Sequence, residues 1–203
     1  MIFYKPYTTP ILINGKGLKS YNHHFNKTIA HLKSQSMKQG YKTTKRIQSL
    51  YLKRDRYIQT WMHKVSRYIV GECIKNEVTT LIIGRNKFQK QNINLGHKTN
   101  QKFVQIPHHT FINQLKYKCY ESGIKFIETE ESYTSGTSFL DNEQPTSANY
   151  NISRRMHRGL FKSNTNQRIN ADINSAFQIL KKVYPVVRYQ PQLNLQPVKI
   201  NVS

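Results

Sequence analysis

The order of periodicities along the 203 residues predicts an α/β domain: helix, strand, helix, strand, loop, helix. Three observations carry this. A long stretch with apolar residues every three or four positions gives way to a β-branched run, Val78–Ile83. A second short strand, Ile124–Glu128, follows after one helical segment, the spacing of a crossover between parallel strands. A last amphipathic segment, about 171–183, completes the order.

Taken in order, Ile11-Leu12-Ile13 reads as a short strand, and Asn14-Gly15 after it carries a hairpin signal. From about Tyr21 to Lys75 the pattern is helical, with Gly40 separating a first helix (about 22–38) from a longer second one. In the second helix Ile47, Leu50, Ile58, Trp61, Met62, Val65, Tyr68, Ile69 and Cys73 form an inward stripe. Arg46, Lys53 and Arg54 belong to the basic residues between them, expected on the opposite flank. The strand Val78–Ile83 ends at Gly84, and the polar segment Arg85–Phe103 reads as a loop. Pro107 opens a helix over about 108–122 and Gly123 closes it. Glu130 and Glu131 fall at the carboxyl end of the strand that follows, where open α/β sheets place their chemistry. Residues 132–170 show no convincing period, and the tail from Tyr184 is punctuated by Pro185, Pro191 and Pro197. The expected division is therefore a domain over 1–185 and an extended or disordered tail over 186–203.

Composition narrows the function. There are 32 Lys and Arg against 10 Asp and Glu, a formal net charge of +22. With 37% hydrophobic residues in clear periods, the chain is too well patterned to be wholly disordered. Such an excess of charge repels itself in a compact fold unless a polyanion sits against it. Nucleic acid is the expected partner. Cys73 and Cys119 are the only cysteines, which supports neither a disulfide scaffold nor a cysteine-rich zinc module. No apolar run is long enough to span a bilayer, and the amino terminus shows no secretory pattern, so the expected location is the cytoplasm.

The scarcity of acids makes the chemical candidates few. Metal-assisted phosphodiester hydrolysis needs about three carboxylates from separate elements around Mg²⁺. Asp172 starts the last helix, where its plainest role is N-capping. Glu130 and Glu131 end a strand on opposite faces. Asp55, Glu72 and Glu77 read as surface charges; Asp141 and Glu143 lie in the long loop, either functional or solvated. Within that loop Arg154, Arg155, Arg158, Lys162 and Arg168 form a dense basic segment, a candidate contact for phosphate. Tyr133 and Phe161 are candidates either for stacking on bases or for packing.

Six stretches occur in an order that resembles one family: INGKGLKSYNHHFNK (13–27), LIIGRN (81–86), NQKFVQIPH (100–108), EESYTSGTSFLDNE (130–143), RRMHRGLFKS (154–163) and INADINSAFQIL (169–180). Together, over roughly residues 5–185, they resemble the carboxyl-terminal part of the OrfB/TnpB insertion-sequence proteins. The resemblance implies an RNA-guided, Mg²⁺-dependent DNA endonuclease with a RuvC-type, RNase H-like domain, and hence DNA and a guide RNA as partners. The family's third carboxylate lies in an N-A-D-x-N motif, which matches Asn170-Ala171-Asp172-Ile173-Asn174 and assigns Asp172 to catalysis and metal binding. Its second usually follows the strand that here ends Ile83-Gly84-Arg85 without a carboxylate. A branch of the family with Gly there takes the glutamate from the next strand, which implies Glu131, with Glu130 as the alternative. The first carboxylate belongs to an opening D-x-G strand, and no Asp or Glu occurs between Met1 and Arg54. The expectation is an incomplete RNase H-like domain without its first strand, with a long helical insertion at about 21–75 and a loop over 132–170 where relatives carry a zinc ribbon. No zinc is expected there, because the span lacks cysteine and His157 stands alone. The Mg²⁺ site would be partial, held by Glu131 and Asp172, and the chain alone inactive unless an upstream fragment supplies the strand. The alternative is a nuclease-dead nucleic-acid-binding protein.

Overall fold

The computed structural model describes residues 9–85, 106–157 and 159–202. The polar segment expected as a loop, from residue 86 to 103, lies outside them, as does Arg158. The chain divides into two compact units.

One unit is helical, built from α1 (Lys16–Lys38), α2 (Lys45–Lys75) as far as Gly71, and α3 (His108–Glu121) as far as Lys118. Asn14-Gly15 makes no hairpin. The Asn14 Oδ1 accepts the Lys16 N–H at 3.1 Å and so starts α1 six residues earlier than the periodicity suggested. Gly40, at φ +80°, makes the break between the helices in a conformation that favours glycine. Tyr21 stacks on Tyr57, Asn22 bonds Arg54 and Phe25 meets Tyr51 edge-on. Because these pairings run in opposite sequence directions, α1 and α2 are antiparallel. Leu18, Ile58 and Met62 bury one apolar cluster, with Trp61 and Phe111 against it; Phe25, Ile29 and Ile47 bury another.

The second unit holds the strands. β1 (Ile11–Ile13) pairs in parallel with β7 (Val198–Ile200). β2 (Thr80–Arg85) and β3 (Lys125–Glu130) form the expected parallel pair, in register from Thr80↔Lys125 to Arg85↔Glu130. Residues 132–170 are not an unstructured loop. They carry a short 3-10 turn (Ile152–Arg154) and an antiparallel sheet of β4 (Arg155–His157), β5 (Leu160–Lys162) and β6 (Arg168–Asn170), which feeds α4 (Ala171–Val183). α4 packs against β2 and β3 and against β5 and β6. Under it Phe139, Phe161, Ile169, Ile173 and Phe177 form the core of the unit.

The tail expected to be extended or disordered is packed. Val187 and Leu193 are buried in that core, the Tyr189 N–H bonds Asn142 Oδ1 at 2.7 Å, and β7 ends it. Its prolines stop helix formation without preventing burial. Among the described residues no helix is long and apolar enough to cross a membrane.

Candidate active site

The candidate residues lie in the strand-bearing unit: Gly84 and Glu131 at the ends of β2 and β3, beside Ile179 in the later part of α4, and Asp172 in the first turn of that helix. Gly84 sits inside β2, not after it. A Cβ built there would lie 2.5 Å from Ile179 Cδ1 and 3.1 Å from Glu131 Cβ. The space a side chain would take at position 84 is therefore filled by α4 and by the base of the Glu131 side chain. This is the physical reason for glycine at this point of the strand pair.

Glu130, the last residue of β3, and Glu131, the first beyond it, differ in exposure. Glu130 is exposed at the end of β3 and accepts the Ser132 hydroxyl. Glu131 is half-buried beside Gly84. Burial pushes its carboxyl above the ordinary value, and the Lys182 ammonium of α4 pulls the other way. Its main chain is fixed, because the Thr134 N–H and hydroxyl both donate to the Glu131 carbonyl. Replacing Gly84 by Ala is expected to push Glu131 and Ile179 apart and to cost about 1–3 kcal/mol. Thermal denaturation measures it, and an unchanged Tm would show that the strand is not closed over at this point.

The motif Asn170–Asn174 resolves residue by residue. Asn170 is the N-cap of α4, its Oδ1 accepting the N–H groups of Asp172 (2.9 Å) and Ile173 (3.2 Å). Ala171 and Ile173 are buried in the core. Asn174 is fully buried; its Oδ1 accepts the Phe139 N–H at 2.9 Å and its Nδ2 donates to the Thr137 carbonyl at 2.8 Å. Asp172 alone has no part in holding the fold together in this way. Its side chain is 69% exposed, and Arg155 Nη2 lies 3.8 Å from its Oδ1. Capping, the plain role for an aspartate here, belongs to Asn170.

The segment between these carboxylates is tied by polar groups. Glu143 Oε2 accepts the Ser138 N–H (2.8 Å), Arg154 Nη1 bonds both its oxygens (2.7 and 2.8 Å), and Asn164 Nδ2 reaches Oε1 (3.1 Å). Ser138 Oγ accepts the Asp141 N–H and Ser163 Oγ the Gln167 N–H, so each closes a tight turn. Asp141 Oδ2 joins the turns by accepting the Asn164 N–H at 2.8 Å. Lys181 is wholly buried, donating to the carbonyls of Asn142 (2.6 Å) and Glu143 (3.0 Å). Desolvation, with help from Arg188 and against Glu143, pulls its ammonium down to about 8. Sequence reasoning missed Lys181 and Asn174, and left Glu143 between solvent and function.

Of the candidate nucleic-acid contacts, Arg46, Lys53 and Arg168 are exposed. Arg155 and Lys162 are partly so. Arg54 is committed inside the helical unit: its Nε donates to Asn22 Oδ1 at 2.9 Å, Nη1 pairs with Asp55, and the guanidinium lies over the Phe25 ring. Arg154 is committed likewise to Glu143, both side chains being less than a fifth exposed. Phe161 is wholly buried, while Tyr133 is 45% exposed.

Oxygen donors of this kind suit a hard divalent cation. The number falls short. Among the described residues no three His, Cys, Asp or Glu side chains are grouped to hold a metal ion.

Comparison with known proteins gives these features a context. A family model described as "Probable transposase" (OrfB_IS605) matches residues 4–89. A second, "Cas12f1-like, TNB domain", matches residues 108–179. No curated protein matches the chain. A solved structure, "Cryo-EM structure of the Cas12f1-sgRNA-target DNA complex", superposes with a TM-score of 0.55 at 23% identity. The match covers 77% of this chain and 41% of that one, so the chain spans about two fifths of the length of its structural neighbour. The two family models follow one another along the chain in the same order as the six stretches and between them match most of it, which supports a protein of the OrfB/TnpB family of insertion-sequence transposon proteins.

Proposed function

We propose that these 203 residues are the carboxyl-terminal, RuvC-type part of an RNA-guided DNA endonuclease, an RNase H-like domain whose first strand and first carboxylate they do not include. The observation that carries this reading is Asp172: in a five-residue motif whose other four members hold α4 in place, it alone presents its carboxylate to solvent. Glu131, beside Gly84, is the second carboxylate of the set, and its placement supports the glutamate having moved from β2 to the neighbouring strand. The two would hold Mg²⁺, which supplies Lewis-acid stabilisation of a phosphodiester when bound. Two carboxylates are not the three that the family's chemistry uses. The chain by itself is therefore a nucleic-acid binder and not a nuclease.

DNA and guide RNA are the proposed partners, supported by the net charge of +22 and by the nucleic acids named in the structural neighbour. Arg46, Lys53, Arg155, Lys162 and Arg168 are the proposed phosphate contacts, since their charges reach solvent. With roughly six phosphates neutralised, log K for duplex DNA is expected to fall with log salt at a slope of about −5. Fluorescence anisotropy across a salt series measures it; an affinity independent of salt would contradict the proposal.

A further inference from the structure

Tyr133 and Tyr150 have no place in the carboxylate chemistry, yet they form a built feature beside it. Their rings meet edge to face, with centroids 5.7 Å apart and planes at 71°. Both stay in solvent, 45% and 39% exposed, whereas Phe139 and Phe161 of the same segment are completely buried. Tyr133 stands at φ +65°, a conformation that L side chains rarely adopt. It is held there because its carbonyl accepts the Thr137 hydroxyl at 2.9 Å. The Tyr150 ring lies on Gly136, where a Cβ would come within 2.6 Å of Cε2. A bare glycine and a strained backbone are thus used to keep two tyrosine rings together at the surface.

Their position decides what they meet. Tyr133 is two residues beyond Glu131. Tyr150 precedes Asn151, whose N–H donates to the Gly136 carbonyl and whose side chain opens the short turn leading into β4. β4 begins with Arg155, the residue that faces Asp172. The pair is therefore tethered at one side to the Glu131 strand end and at the other to Arg155 and Asp172.

From this geometry we infer that Tyr133 and Tyr150 form a stacking platform for unpaired nucleobases, with Arg155 taking the adjoining phosphate. An aromatic face stacks on any base and is closed to bases paired in a duplex. The ligand is a single strand passing the carboxylates; the inference rests on the nucleic-acid-binding reading above and names the form of nucleic acid that this site takes.

The test compares the full chain with its Tyr133→Leu/Tyr150→Leu variant on labelled oligothymidylate and on duplex DNA. The variant is expected to weaken oligothymidylate binding by roughly tenfold or more, with duplex affinity and the salt slope unchanged. The Tyr133→Phe/Tyr150→Phe variant keeps both rings and is expected to bind like the parent. Photocrosslinking to an oligonucleotide carrying 5-iodouracil gives a readout free of any folding effect, with adducts expected on Tyr133 or Tyr150. Equal losses on single strand and duplex, no loss, or adducts elsewhere would each overturn the platform. A parent chain that binds neither form would overturn the nucleic-acid reading itself, and the platform with it.

Discussion

Phe177→Ala is expected to remove about 3–5 kcal/mol of stability, a large share of what a domain of this size holds. Phe177 is 1% exposed and lies flat on Phe139, with ring centroids 4.3 Å apart and planes 4° from parallel. The cavity would open at the junction of α4 with the 132–170 segment and the tail, because Phe161, Val187 and Leu193 line the same cluster. None of these elements can close it cheaply: Asn174 fixes the main chain at 137–139, and the tail is held through Asn142. Phe177→Leu keeps part of the volume and costs less. Urea denaturation distinguishes the two, and a loss below about 1 kcal/mol for the alanine variant would mean that this core is loosely packed.

Glu143→Ala is expected to be nearly as damaging, about 3–5 kcal/mol. The substitution leaves the Arg154 guanidinium, 17% exposed, without its carboxylate, and strips acceptors from the Ser138 N–H and Asn164. An uncompensated charge in that position is worse than no charge. Adding Arg154→Met to Glu143→Ala should therefore recover part of the loss, and Glu143→Gln, which still accepts from Ser138, should cost less than alanine. If Glu143→Ala proves neutral, the polar ties of this segment are not what holds it.

Much of the fold was legible because helices and parallel strands rich in β-branched residues advertise themselves locally. α4 begins and ends where the spacing of Ile173, Phe177 and Leu180 placed it, and the β2–β3 pair follows from two β-branched runs and one crossover. β4, β5 and β6 are three residues each, too short to display an alternation. The partner of β1 lies at the opposite end of the sequence, beyond any local signal. Asn14-Gly15 shows the limit of a dipeptide rule, since an asparagine able to start a hairpin is equally able to start a helix.

The candidate site was half visible. Asp172 and Glu131 came from resemblance, and geometry then separated them from their neighbours: Asn170 from Asp172 by the cap, Glu130 from Glu131 by Gly84. The committed cations were within reach of spacing alone. Arg54 stands four residues from both Leu50 and Ile58, and Lys181 four from Phe177, on the buried faces of their helices. Charge outweighed position in reading Arg54 as surface. What no pattern foretells is a carbonyl pair ready to receive the Lys181 ammonium.

Glu131 and Asp172 are proposed as two of the three carboxylates that hydrolysis requires, on a chain that binds nucleic acid without cutting it. The most direct test incubates the purified 203-residue chain with single-stranded and duplex DNA, with and without Mg²⁺, alongside Glu131→Ala and Asp172→Ala variants. All three proteins are expected to bind, and none to cleave in the presence of Mg²⁺. Cleavage by the parent chain that disappears in either variant would contradict the proposal.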